Sequence, residues 1–306
     1  MPFNDIYRRQ AELLVRTLPY VADESCFALK GGTAINLFVR NLPRLSVDID
    51  LTYLPIADRS QSLTAIQNAL RRISVRLRAT IDGVTVTESA PISQSQINKL
   101  IVRTPQLVQI KIEVTPVLRG CVYEPEMRSV CETVQDQFGF AEISVLSFAN
   151  LYAGKVLATL DRQHPRDLFD IHHLLANEGI NERMRVAIIV YLISHDHTPQ
   201  TLLSPRLKDI TQDYEQNFRG MTEEDFPLDL LSAARSALVD DILGNMPENH
   251  KRFLLSFYRR HPDWSLLDVD GVDKLPAVRW REINLDKAGT ETCAHIVSEL
   301  KKVLWQ

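Results

Sequence analysis

Two aspartates one residue apart, Asp48 and Asp50, lie in the run Ser46-Val47-Asp48-Ile49-Asp50. A strand alternates its side chains between two faces, so both carboxylates point to one side while Val47 and Ile49 point to the core. Like charges at that spacing repel unless a cation lies between them, and Mg²⁺ bound also to substrate phosphates removes the repulsion. The pattern predicts metal-dependent phosphate chemistry; the alternative is an exposed strand edge with two solvated carboxylates.

A double glycine lies upstream of the aspartates, in Lys30-Gly31-Gly32-Thr33-Ala34. Small residues where a strand turns into a helix let a phosphate approach the main chain. The amides of Gly31 and Gly32 and the Thr33 hydroxyl are therefore candidate contacts for a triphosphate. The alternative is a tight turn that only packing requires. The segment lacks the Gly-Lys-Ser/Thr ending of a Walker loop, which disfavours a P-loop ATPase.

A third carboxylate, Glu113, lies between Leu107 and Pro116, where apolar and polar residues alternate. Period-two alternation predicts a strand that carries Lys111 and Glu113 on one face. On a strand beside the aspartates, Glu113 would complete a two-metal site. The aspartates would bind both ions, and Glu113 mainly the ion that activates the attacking hydroxyl. The alternative is a surface salt bridge from Glu113 to Lys111 or to Lys99.

The third block joins Lys155 to a charged run that starts at Arg166 and contains Asp167 and Asp170. Lys155 lies among small apolar residues on a predicted helix. There it either reaches solvent through its long stem or contacts a triphosphate as a point charge. Arg166 is a further candidate phosphate contact, and Asp167 or Asp170 a further acidic site residue. Both aspartates follow Pro165, which favours a helix start, where carboxylates also cap helices.

Helices and strands must position these residues, and hydrophobic periodicity predicts an α+β fold. A small mixed sheet with flanking helices is expected in residues 1–146. A mainly helical lobe is expected in residues 147–306, contributing Lys155 and its acidic neighbours to the cleft. The predicted helices are Asn4–Leu18, Thr33–Arg40, Ser60–Arg78, Leu151–Leu160, Asp167–Asn177 and Asn181–Ser194. The predicted strands are Ser25–Leu29, Leu45–Leu54, and Lys99–Arg103 with Leu107–Pro116 as an antiparallel hairpin.

Composition narrows the class of protein. The 306 residues carry a formal net charge of -4, with 45% hydrophobic and 24% charged residues, which is typical of a folded globular chain and not of a polybasic nucleic-acid binder. The first residues lack a basic stretch followed by an apolar run, and no segment approaches a membrane span. We expect a cytoplasmic protein with no membrane partner.

Basic and aromatic residues interleave in the segment from His250 to Arg260. This arrangement serves RNA binding when the rings stack on bases and the arginines meet phosphates. The alternative is an amphipathic helix that buries Phe253, Leu254 and Phe257, and the helical spacing favours it.

Taken in order, the motifs resemble those of the AbiEii/AbiGii (MenT-like) nucleotidyltransferase toxin family. They are Gly-Gly-Thr-Ala, Ser-x-Asp-Ile-Asp, Lys-Ile-Glu-Val and Ala-Gly-Lys, followed by Asp-Arg and Arg-Asp-x-x-Asp. The resemblance covers Phe27 to Leu174. It implies a DNA polymerase β-like nucleotidyltransferase fold and Mg²⁺-dependent transfer of a nucleotide from an NTP to an acceptor. The expected acceptor is the 3′ end of tRNA or another RNA, and the expected partner is an AbiEi-like antitoxin.

By position, the resemblance implies that Asp48 and Asp50 bind the metal and that Lys155 contacts the nucleotide phosphates. Asp167 or Asp170 would be the later acidic residue. Ser46 lies near the metals, at a position where relatives are controlled by modification, and it joins the candidate nucleotide contacts. Glu113 as third carboxylate is an assignment made from this sequence. Two other functions are open: nucleotide transfer to a protein hydroxyl, and a non-catalytic module that binds a nucleotide or partner.

Overall fold

The computed structural model describes residues 3–90 and 96–305, and these ranges confirm the α+β fold. Positions 1 and 2, part of the N-terminal stretch in which no leader was expected, lie outside them. The chain divides into two compact units. The sheet unit comprises Met1–Ser147 and Arg219–Asp225, and the helical unit comprises Phe148–Phe218 and Phe226–Gln306.

The strands of the sheet unit form one mixed sheet. In the described residues its seven strands have the order β3-β4-β5-β2-β1-β7-β6. The central strand β2 is antiparallel to β1 and parallel to β5, and β4 is antiparallel to β5 as predicted for the hairpin. The strands are β1 (Phe27–Lys30), β2 (Asp48–Tyr53), β3 (Thr85–Ser89), β4 (Lys99–Arg103), β5 (Gln109–Val114), β6 (Glu126–Ser129) and β7 (Glu142–Val145).

Helices α1 (Asp5–Ala22), α2 (Gly31–Ala34), α3 (Arg59–Thr80) and α4 (Glu132–Phe138) belong to the same unit. The Asn4 side chain caps α1 by accepting the Ile6 N–H at 2.9 Å. The apolar face of α1 packs against β5 and β7, and α3 packs against β3 and β4. Two arginines near the end of α3, Arg72 and Arg76, bind the buried Glu24 at 2.7 and 2.6 Å.

Two predicted elements around the double glycine differ from the structure. The helix predicted from Thr33 begins already at Gly31, and residues Ile35–Val39 form a π-helix. The strand predicted from Leu45 begins only at Asp48. The Leu45 N–H donates to the Met221 carbonyl at 2.7 Å, outside any strand ladder.

The segment Arg219–Asp225 belongs to the sheet unit although it follows the first helices of the other unit. Besides the Met221 bond, the Gly220 carbonyl accepts the Asn4 N–H at 3.0 Å. Pairings of this kind join residues far apart in sequence, so no local pattern indicates them.

The helical unit contains α5 (Phe148–Arg162), α6 (Pro165–Asn177), α7 (Glu182–Ile193), α8 (Pro199–Leu203), α9 (Thr211–Asn217), α10 (Leu228–Gly244), α11 (Glu248–Tyr258) and α12 (Pro276–Leu304). Helix α5 packs on α6 and α7, and α6 packs on α10. One part of its core joins Leu168 and Phe169 of α6 to Phe218 and Leu231. Among the described residues, no helix has the length and apolar character required to cross a membrane.

Candidate active site

Strand β2 presents Asp48 and Asp50 on the same face of the sheet. The residues that alternate with them, Ile49 and Leu51, are fully buried, whereas the Asp48 side chain is 33% exposed and Asp50 is half-buried. Alternation along an extended strand produces this arrangement, as predicted. The two carboxylates therefore lie side by side on the surface of a rigid central strand.

Glu113 lies beside Asp50 because β5 runs parallel to β2. The register pairs Asp50 with Glu113 and Asp48 with Lys111. Glu113 also forms the alternative salt bridge, since its Oε2 lies 3.0 Å from Lys99 Nζ. Lys111 Nζ lies 3.7 Å from Asp48 Oδ1. These side chains are about one third to one half exposed, and such pairs contribute roughly 0–1 kcal/mol, so a ligand can replace them at small energetic cost.

The main chain at the double glycine passes close to side chains of residues 44 to 50. Gly31 has a φ of +75°, and a Cβ there would lie 2.8 Å from Asp50 Oδ2. A Cβ at Gly32 would lie 2.6 Å from Nη2 of the buried Arg44 and 3.2 Å from Ser46 Oγ. Gly31 is therefore required by its φ, whereas a side chain at Gly32 would have to displace the end of Arg44.

The hydroxyls of Thr33 and Ser46 are directed inward. Thr33 Oγ1 is hydrogen-bonded to Ser46 Oγ at 2.9 Å and donates to the main-chain oxygen of Asp48 at 2.5 Å. Thr33 is 1% and Ser46 7% exposed. Both hydroxyls therefore support the strand that carries Asp48, and their predicted contact with phosphate stays a prediction.

Two residues near this face had no role in the sequence prediction. Lys30 lies opposite Asp50 in the antiparallel pair of β1 and β2, and its Nζ donates to Thr115 Oγ1 at 2.6 Å. Arg44 is 2% exposed, and its Nη1 donates to the Leu45 carbonyl at 2.9 Å. Lys30 and Asp50 are brought together by the pairing of two strands, which the local sequence does not show. The sequence signal that could have pointed to Lys30 was its position directly before the double glycine.

A second charged cluster lies within the helical unit and joins Lys155 to both candidate acids. Lys155 Nζ lies 2.8 Å from Asp167 Oδ1 and 2.9 Å from Asp170 Oδ2. The lysine side chain is 6% exposed, that of Asp167 1% and that of Asp170 0%. The stem of Lys155 therefore does not carry its ammonium into solvent, and two of its three N–H donors serve carboxylates.

Asp167 has a second cation, because Arg162 at the end of α5 donates from Nε to Asp167 Oδ2 at 2.6 Å. Burial opposes ionisation of Asp167, but the charges and hydrogen bonds of Lys155 and Arg162 hold the pKa of this carboxyl below its usual range. The N-cap of α6 is His164, which accepts the Arg166 N–H at Nδ1 over 3.1 Å. Asp167 thus binds cations, and capping does not explain it.

The comparisons with known proteins decide the family. Residues 12–280 match the family model described as nucleotidyl transferase AbiEii toxin, type IV TA system. The chain belongs to the AbiEii family. It is a nucleotidyltransferase toxin of a type IV toxin–antitoxin system, a class that implies an antitoxin partner and an NTP substrate.

A solved structure supports the fold of this AbiEii-family chain. The nucleotidyltransferase toxin MenT4 from Mycobacterium tuberculosis H37Rv is 12% identical, with a TM-score of 0.58. The match covers 96% of this chain and 93% of MenT4. No curated protein matches the chain significantly by sequence.

The donor set on β2 of the AbiEii-family chain fits a hard divalent cation. Carboxylate oxygens are the ligands that Mg²⁺ prefers. No ion pair or hydrogen bond joins the Asp50 side chain to any described residue, and the missing side chain of Gly31 leaves room against its Oδ2. Within residues 3–90 and 96–305, no group of three or more His, Cys, Asp or Glu side chains is placed to hold a metal. Glu113 as third ligand stays a prediction, since it now binds Lys99.

Proposed function

We propose that this chain transfers a nucleotidyl group from an NTP to the 3′ end of an RNA, with tRNA as the expected acceptor, in a reaction that requires Mg²⁺. One observation carries the proposal: Asp48 and Asp50 project together from β2, and Asp50 lies beside Glu113 of the parallel strand β5. Family membership supports the nucleotidyl transfer. The acceptor and the metal are our inference.

In this transfer, the 3′ hydroxyl oxygen bonds to the α-phosphorus, and its proton passes to a solvent water. The bond from the α-phosphorus to the oxygen bridging to the β-phosphate breaks, and pyrophosphate leaves. Mg²⁺, when bound, makes the hydroxyl a better nucleophile and neutralises charge on the leaving group.

The chain's own residues contribute position and charge. Asp48 and Asp50 would hold the metal, and Glu113 would join them on release from Lys99. Gly31 keeps the main chain close to Asp50, and the ammonium of Lys30 adds positive charge on the strand next to it. We propose the main-chain amides around the glycines as phosphate contacts, while Thr33 holds the start of β2 in place.

The roles of the helical cluster remain predictions. A phosphate contact by Lys155 would use its third N–H donor while Asp167 and Asp170 keep the other two. Arg166 starts α6 beside that cluster and is half-buried. Asp167, with two cations, and Asp170 both hold the lysine in one orientation.

The biological setting follows from the family. Because the members of this family are toxins of type IV toxin–antitoxin systems, we propose an AbiEi-like protein as the antitoxin. We propose the cytoplasm as the place of action, since NTPs and tRNA are both present there.

The test incubates the full chain with each α-labelled NTP, Mg²⁺, total tRNA and total cell protein. We expect label on the RNA 3′ end. The substitution Asp48→Ala should lower the rate by at least about 1,000-fold, because the site then lacks half of its carboxylate pair. Asp82→Asn, an exposed aspartate in the same unit, is the matched control and should leave the rate unchanged.

Three outcomes would contradict the proposal. Label on protein would select the protein-hydroxyl alternative. Full activity of Asp48→Ala would contradict metal-dependent catalysis at the Asp48 and Asp50 pair. No NTP turnover with any acceptor would select the non-catalytic alternative.

A further inference from the structure

The helical unit contains a cavity of about 720 Å³ that no predicted site residue occupies. It lies between α8, the irregular segment 204–208 and the last turns of α12. Its volume is in the range of pockets that bind small molecules or a few nucleotide units.

The charged side chains that line this cavity include the cations Arg206, Lys208 and Lys302 and the carboxylates Asp161 and Glu299. Glu299 Oε1 lies 2.6 Å from Lys302 Nζ, and Asp161 Oδ1 lies 3.4 Å from His197 Nε2, a contact that is an ion pair only when the histidine is protonated. Arg206 and Lys208 are exposed lining residues with no carboxylate partner among the described residues. Lys208 Nζ donates to the main-chain oxygen of Asp161, at 3.0 Å. The cavity therefore offers two cations to an anionic ligand.

Buried polar side chains fix the segment that carries these cations. Gln163, 2% exposed, donates from Nε2 to the Arg206 carbonyl at 2.8 Å and accepts the Lys208 N–H at 3.0 Å. The buried Arg235 donates from Nη1 to the Lys208 carbonyl at 2.9 Å. Gln163 also adopts a φ of +55°, which is rare for a residue with a side chain. Because these bonds hold the main chain of the irregular segment, little further ordering of its main chain is needed when a ligand binds.

The segment from His250 to Arg260, in which basic and aromatic residues interleave, does not offer its rings of α11 for stacking on bases. On α11, Phe253, Phe257 and Tyr258 are 0 to 1% exposed. The amphipathic-helix alternative is confirmed, and those rings are core. An acidic chain that acts on RNA needs basic contacts elsewhere on its surface.

We propose that this cavity is a phosphate-binding site in which Arg206 and Lys208 hold the sugar–phosphate backbone of an RNA. The RNA as source of the phosphate rests on the function proposed above. The phosphates of a free NTP share the same chemistry, so the experiment separates the two sources.

The test measures binding, without any transfer reaction. A fluorescently labelled RNA hairpin with a single-stranded 3′ end is titrated with the full chain at several salt concentrations, with EDTA present. The double substitution Arg206→Gln/Lys208→Gln should weaken binding about tenfold. It should also reduce the slope of log K against log salt by about 1.4, which corresponds to two phosphate contacts on a single strand. Binding of α-labelled ATP with Mg²⁺, measured by equilibrium dialysis, should stay unchanged.

Arg252→Gln/Arg259→Gln is the matched control, because it removes the same charge from exposed positions on and just after α11. It should change RNA binding less than about twofold. Equal weakening by both double variants would show general electrostatic attraction and overturn the site. An effect on ATP alone would assign the cavity to the nucleotide and overturn the RNA assignment. If the unsubstituted chain bound RNA through Arg206 and Lys208 but transferred no nucleotide, only the proposed function would be contradicted.

Discussion

The two groups of charged residues in this chain differ in how they are neutralised. In the helical unit, Lys155, Asp167 and Asp170 are almost fully buried, and the lysine ammonium lies within 3 Å of both carboxylates. On the sheet face, Asp48 and Asp50 are partly exposed, and Asp50 has no ionic partner among the described residues. The buried carboxylates of the helical cluster are paired with cations of the chain, whereas on the sheet face Asp48 has only an exposed partner, Lys111, at 3.7 Å. The comparison is consistent with our proposal of a metal on β2 and gives the helical cluster a structural contribution that is independent of any substrate.

The largest effect should come from breaking the buried cluster. Lys155→Met would leave Asp170 without this buried cation and Asp167 with Arg162 alone, so we expect a loss of roughly 3–5 kcal/mol in the free energy of unfolding. Urea denaturation followed by circular dichroism measures it. Lys111→Met, which breaks the exposed pair with Asp48, is the matched control and should cost less than about 1 kcal/mol. Equal free energies of unfolding for the two variants would contradict the difference between the buried helical cluster and the exposed pair on the sheet face.

A smaller effect should sharpen the role of Glu113. If its carboxylate joins the metal, Glu113→Gln should lower nucleotidyl transfer by about 10- to 100-fold, a loss typical of metal-site perturbation. Lys99→Met breaks the same salt bridge but keeps the carboxylate, so its rate should fall less than about threefold. The labelled-NTP assay compares them. Equal losses would mean that Glu113 acts only through its pair with Lys99.

The smallest effect concerns pH. Because Asp167 has a pKa below its usual value, the unfolded chain binds a proton in acid that the folded chain does not. The stabilisation is complete at neutral pH and decreases as pH falls below about 4, by about 1–2 kcal/mol between pH 5 and pH 2.5. Urea titrations at these two values measure it. Asp167→Asn should be less stable at neutral pH and lose less stability in acid; an unchanged acid dependence would contradict this origin.

Local patterns predicted much of the site. The alternation that places Asp48 and Asp50 on one face of β2 depends on neighbouring residues alone, and so does the hairpin of β4 and β5. The need for glycine at Gly31 was visible, but its reason was not, because the contact joins the end of β1 to Asp50 on the neighbouring strand β2. The amphipathic character of α11 was likewise local, and its buried rings confirm it.

The sequence by itself determined the family, the α+β class and the candidate site residues, since motif order and period are properties of the linear chain. Only the tertiary structure decided their surroundings. The parallel pairing of β2 with β5 sets Glu113 against Asp50, and the packing of α5 on α6 turns Lys155 inward onto Asp167 and Asp170. Both results depend on contacts between residues distant in sequence. Their partners are selected by burial and charge compensation in the folded chain, which no local pattern records.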